Sequence, residues 1–98
     1  MRQPEGVLVR RILDALNQMS GTKAIKIHGG VFGEAGTPDI VCAHRGRVFL
    51  FEVKTKTGRV SEIQLYRLKQ WQDAGATTAV VRSVAEVVEM VTGGADGN

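Results

Sequence analysis

Apolar residues recur at Leu8, Ile12, Leu16 and Met19, with Val9 and Leu13 alongside. This spacing predicts an amphipathic helix. Pro4 suits its first turn, and Ser20-Gly21 ends it. The period then changes. Residues 23–28 alternate and predict a strand with one wetter face. Gly29, Gly30, Gly33 and Gly36 mark a loop over 29–37. Asp39-Ile-Val-Cys-Ala43 predicts a short apolar strand, His44-Arg-Gly-Arg47 a turn, and residues 48–54 the returning strand. Val48 and Leu50 fall on one face of that strand and Phe49, Phe51 and Val53 on the other, so it requires cover on both sides. Ser61 opens a second helix that runs to about Ala74 and stops at Gly75. Residues 77–82 are rich in β-branched side chains and predict a further strand. Ser83 caps a last helix whose buried stripe is Val84, Val87, Val88 and Val91. The order is helix, three strands, helix, strand, helix, which predicts an α/β fold with a mixed central sheet flanked by helices. Residues 1–92 form a single domain, and residues 93–98 are expected to be a flexible tail.

Composition narrows the class without naming a function. A chain of 98 residues is one domain with a modest core, which makes a homodimer a natural expectation. The net charge of +3 permits a nucleic-acid partner and does not demand one. Cys42 is the only cysteine, so an intramolecular disulfide and a thiolate zinc site are both excluded. It is expected to be a small core residue. There is no apolar stretch of membrane-spanning length and no signal-peptide pattern, so no membrane association and an intracellular location are expected. Dinucleotide and Walker patterns are absent.

The candidate chemistry lies at one end of the hairpin. Pairing about Arg45-Gly46 brings Asp39 opposite roughly Glu52, because the turn fixes the register. Two carboxylates brought together repel unless a cation or a proton lies between them. A hard divalent ion such as Mg²⁺ or Mn²⁺ suits such a pair, since it takes few protein carboxylates and also accepts water and phosphate oxygens. Lys54 lies on the same face as Glu52, about 7 Å along the strand, where an amine can serve a phosphate or an attacking water. Glu5 leads the apolar stripe of the first helix and points toward the sheet. Ser61-x-x-Gln64 is a capping box, and 64, 68 and 71 share an inward stripe with Leu68 and Trp71. Trp71 and Tyr66 are accordingly expected to pack rather than to stack on bases. Lys54, Lys56, Arg59, Arg67 and Lys69 surround the junction between the second hairpin strand and the second helix and form a candidate phosphate track. His28 and His44 lack metal-ligand spacing, and His44, in the turn, is expected to be solvated.

Gly36-Thr-Pro-Asp39, Glu52-Val-Lys54 and Ser61-x-x-Gln64, after a helix carrying Glu5, together resemble the VRR-NUC (virus-type replication-repair nuclease) branch of the PD-(D/E)XK nucleases. The resemblance spans about residues 5–88 and includes single-domain phage proteins. It implies a restriction-endonuclease-like αβββαβ core. It also implies that Asp39, Glu52 and the Val53 carbonyl ligate Mg²⁺ or Mn²⁺ with Glu5 as an accessory acid, and that Lys54 and Gln64 complete the catalytic set. The expected activity is a metal-dependent DNA endonuclease leaving 5′-phosphate and 3′-hydroxyl ends. Branched DNA such as a four-way junction is the expected substrate and a homodimer the expected assembly. A monomeric flap or nicking nuclease and a non-catalytic nucleic-acid-binding module are the alternatives.

Overall fold

A computed structural model describes residues 4–28 and 33–93. The elements follow the expected order: α1 (Glu5–Asn17), β1 (Thr22–Lys26), β2 (Ile40–His44), β3 (Arg47–Val53), α2 (Glu62–Asp73), β4 (Thr77–Val81) and α3 (Val84–Val88), the last continued by a π-helical turn at Glu89–Gly93. The strands form one mixed sheet in the order β1-β2-β3-β4. The first three are antiparallel neighbours and β4 runs parallel to β3. A parallel neighbour cannot be reached by a tight turn, so α2 serves as the crossover between them.

The hairpin register is set by its turn. Arg45 and Gly46 both have positive φ, 49° and 87°, the geometry that matches the twist of two joined strands. Ile40 therefore pairs with Phe51 and His44 with Arg47, as the sequence predicts. Beyond Ile40 the regular ladder ends. The Asp39 N–H donates to the Phe51 carbonyl at 3.0 Å, and the Asp39 carboxylate takes the next rung, accepting from the Val53 N–H at 2.8 Å.

The two faces of β3 are covered by different helices. Leu8, Val9, Ile12 and Leu16 of α1, with Val87 and Val91, pack on Ile40, Cys42, Phe49, Phe51, Val53 and Val81. Each large apolar side chain buried there contributes roughly 1.5–3 kcal/mol. Cys42 is a buried core residue, as expected. α2 packs on β3 and β4 and buries Leu68, while Leu50 is the fully buried apolar residue of β3 on that side. α1 stops at Asn17, short of Met19. The Asn17 side chain pairs with both backbone groups of Ala24, donating at 2.9 Å and accepting at 2.8 Å, and so occupies hydrogen-bonding groups on the edge strand β1.

Two expectations are corrected. His44 is not solvated: it is the last residue of β2, 6% exposed, with Nδ1 2.7 Å from Thr22 Oγ1. Trp71 and Tyr66 do not pack inside, being 42% and 54% exposed. α2 packs on β3 and β4 mainly through Leu68, and the sides that carry Tyr66 and Trp71 are left partly open. Of the expected C-terminal tail, Gly93 ends the π-helical turn; residues 94–98, and residues 29–32 of the glycine loop, lie outside the described residues.

Candidate metal centre at the end of the hairpin

Glu52 is the most unusual residue of the molecule. It sits on an interior strand, 2% exposed. Its Oε2 accepts from Gln64 Nε2 at 2.9 Å and lies 3.7 Å from Lys54 Nζ. Among the described residues, its Oε1 is the one buried side-chain oxygen or nitrogen with no hydrogen-bond partner. A buried, unpaired carboxylate oxygen costs several kcal/mol unless a cation or proton meets it, by the rough scale for desolvated polar groups. Burial, first, and then the neighbouring Asp39 carboxylate push the Glu52 carboxyl from an ordinary 4.5 up to about 7. The negative charge of Glu5 adds to the rise, while Lys54 opposes it.

The other expected residues gather round this group. Asp39 is fixed through Oδ2 by the Val53 N–H. The Lys54 N–H donates to the Val81 carbonyl of β4. A trans peptide sends its C=O opposite to its N–H, so the Val53 carbonyl points away from β4, toward the side occupied by Asp39. Lys54, its side chain 14% exposed, places Nζ between Glu52 and the Glu5 Oε2 at 4.0 Å. Gln64 makes two sets of contacts. Its Oε1 accepts from the Ser61 N–H at 2.9 Å and its N–H donates to Ser61 Oγ at 3.2 Å, closing the capping box. Its Nε2 is thereby aimed at Glu52.

Among the described residues no three carboxylate, histidine or cysteine side chains converge tightly enough to enclose an ion by themselves. Two carboxylates, one backbone carbonyl and solvent form the kind of sparse oxygen set that Mg²⁺ and Mn²⁺ take, and the unpartnered Glu52 Oε1 fits it. A cleft of roughly 500 Å³ lined by Lys26, Ile27, Gly36, Thr37 and Asp39 opens beside Asp39.

The four basic residues divide. Lys56 and Arg59 are exposed on the loop that follows β3. Arg67 and Lys69 are already engaged. Arg67 Nε donates to the Ala35 carbonyl at 2.8 Å and lies 3.7 Å from Glu34, and Lys69 Nζ lies 2.7 Å from Asp73 Oδ1. Sequence reasoning missed Arg82, whose Nη1 donates to the carbonyls of Thr55 and Gly58 at 2.6 and 2.8 Å. It braces the loop carrying Lys56, and nothing in its local sequence pattern announces this.

No family model matches the sequence, and neither does any curated protein. Solved structures do. A VRR_NUC domain is similar with a TM-score of 0.72 and 24% identity, over 89% of this chain and 92% of that one. Hjc from Archaeoglobus fulgidus, a Holliday junction resolvase from an archaeal hyperthermophile, is similar with a TM-score of 0.64 and 23% identity, over 80% of this chain and 67% of that one. The chain is thus folded as a VRR_NUC domain is, the α/β architecture that its motifs predict.

Proposed function

We propose that this protein is a Mg²⁺- or Mn²⁺-dependent endonuclease that hydrolyses phosphodiester bonds in branched DNA, four-way junctions foremost. The observation that carries the reading is the buried Glu52 Oε1, unpartnered beside a second carboxylate. Asp39, Glu52 and the Val53 carbonyl would hold the ion, with Glu5 at its outer edge. When bound, a divalent ion polarises the scissile phosphate and makes a water molecule more acidic. Lys54 supplies a fixed positive charge where negative charge develops on the phosphate. Gln64 holds the Glu52 carboxylate in place and is near enough to orient a water or phosphate oxygen. Lys56 and Arg59, exposed on the adjoining loop, engage the phosphate backbone. The likeness in fold to a VRR_NUC domain and to a Holliday junction resolvase supports this choice of substrate.

A twofold homodimer presents two such sites to two strands and matches the symmetry of a four-way junction. Sedimentation should then give twice the chain mass of 10.6 kDa. The direct test incubates the protein with duplex, flap and four-way-junction DNA, with Mg²⁺, with Mn²⁺ and with EDTA. Junction cutting that needs the ion and disappears in Asp39→Ala supports the proposal. A protein that binds DNA but cuts none of the three with either ion is a binding module instead.

A further inference from the structure

The loop that delivers Asp39 is fastened to the helix that delivers Gln64. Gly36 has φ +81°, and a Cβ built there would lie 2.7 Å from the Ile63 carbonyl oxygen and 2.9 Å from its carbon. The loop backbone therefore rests directly on the first turn of α2, at a place and in a conformation that only glycine fits without strain. One turn further along α2, Arg67 reaches back over the same loop. Its Nε donates to the Ala35 carbonyl and its guanidinium faces Glu34. Nη1 donates to Gln70 Oε1 at 3.0 Å, and the guanidinium lies 5.3 Å from the Tyr66 ring centroid. With these contacts Arg67 is only 18% exposed. Thr37 ties the loop internally, its Oγ1 donating to the Glu34 carbonyl at 2.6 Å, and buried Pro38 leads straight into Asp39.

We infer that Gly36 and Arg67 form a clasp that fixes the Asp39 carboxylate against the Val53 N–H, and that Arg67 is a positioning residue of the metal centre rather than a phosphate contact. The chain of contacts is short. Arg67 holds Ala35, Gly36 seats on Ile63, and Asp39 follows three residues later. Gln64, next to Ile63, holds Glu52 from the same helical turn. Both carboxylates are thus referenced to the start of α2, and releasing the loop frees one of them. Groups that orient metal ligands from outside typically change metal affinity by about ten- to a hundredfold. The inference rests on the metal-centre reading for its consequence, but the clasp has an effect that needs no ion.

Amide hydrogen exchange followed by NMR on the metal-free protein separates the two. The Val53 amide is protected by Asp39 Oδ2, so Arg67→Ala and Gly36→Ala should speed its exchange about tenfold, the scale of one lost hydrogen bond. The Leu50 amide, inside β3, should be unchanged. Calorimetry should show Mn²⁺ binding weakened by about tenfold or more in both variants, with partial recovery in Arg67→Lys. Binding to four-way-junction DNA in EDTA over a salt series should keep its slope, whereas a lost phosphate contact lowers the slope by about one. Unchanged Val53 exchange in either folded variant, or a lowered salt slope with unchanged Mn²⁺ affinity, overturns the clasp. Should Arg67→Ala fail to fold, Arg67→Lys and Gly36→Ala carry the same readouts. A wild-type protein that binds no Mn²⁺ refutes the metal-centre reading and leaves the Val53 exchange to decide the clasp.

Discussion

At the scale of single residues, the consequences turn on Glu52. Its carboxyl is held near 7 by burial and by Asp39, so between about pH 4.5 and 7 the folded protein keeps a proton that the unfolded chain has lost. Metal-free stability should therefore fall as pH rises through that window and level off above it. Glu52→Gln should flatten that decline and raise metal-free stability at about pH 8, as read by urea unfolding. An incoming cation must displace the same proton. Mn²⁺ affinity should accordingly climb up to about tenfold per pH unit below 7 and then plateau; equal affinities at about pH 5.5 and 8 would exclude this account. Lys54 lowers the Glu52 value, so Lys54→Ala should move the midpoint of metal binding to higher pH. It should also cut junction cleavage by about 10²–10³, the usual loss for a charge-stabilising group, while Mn²⁺ still binds above that midpoint. The convergence of Asp39, Glu52 and Lys54 was legible in the sequence because a two-residue turn leaves one register. The engagement of Arg67 and Lys69 was not, because helical spacing gives a side chain's direction and not its partner.

Among the elements, α2 does two jobs with one first turn. Ser61 and Gln64 close its N-terminus, and the same Gln64 amide reaches Glu52. The jobs can be separated. Ser61→Ala removes the hydroxyl that accepts the Gln64 N–H, yet leaves the Ser61 N–H that holds Gln64 Oε1. It should cost about 1 kcal/mol, a fall in Tm of roughly 4–8 °C for a domain of this size, with Mn²⁺ affinity little changed. Gln64→Ala breaks both and should lose stability and affinity together. A Ser61→Ala variant that melts normally but binds Mn²⁺ poorly would reverse this division. Element order was readable from local signals: helical period in α1 and α3, alternation in β1, apolar runs bounded by a turn in β2 and β3, the Ser61 cap and Gly75 stop of α2, and β-branched content in β4. The exposure of Trp71 was not. Its position relative to Leu68 follows from the helix, but its cover depends on how much of the sheet α2 spans, and α2 packs chiefly on β3 and β4.

For the molecule as a whole, the net charge of +3 understates how unevenly free positive charge is distributed. Lys69 is matched by Asp73, and Arg67 is turned onto Ala35 and Glu34. Lys54 lies between two glutamates. Arg82 spends its guanidinium on the carbonyls of the loop after β3, and that loop presents Lys56 and Arg59 to solvent. Of the basic residues around the junction of β3 and α2, the ones left to meet phosphates are thus Lys56 and Arg59, on a braced loop. Each phosphate contact releases condensed counterions and adds about 0.9 to the slope of log affinity against log salt. Lys56→Ala and Arg59→Ala should each lower that slope by about 0.9 on junction DNA and weaken binding most at low salt. Lys69→Ala should leave the slope unchanged, since its charge is already balanced on the surface of α2. Fluorescence anisotropy in EDTA over a salt titration measures all three. If Lys69→Ala lowers the slope as much as Lys56→Ala does, the DNA path runs along α2 and not along the loop that Arg82 holds.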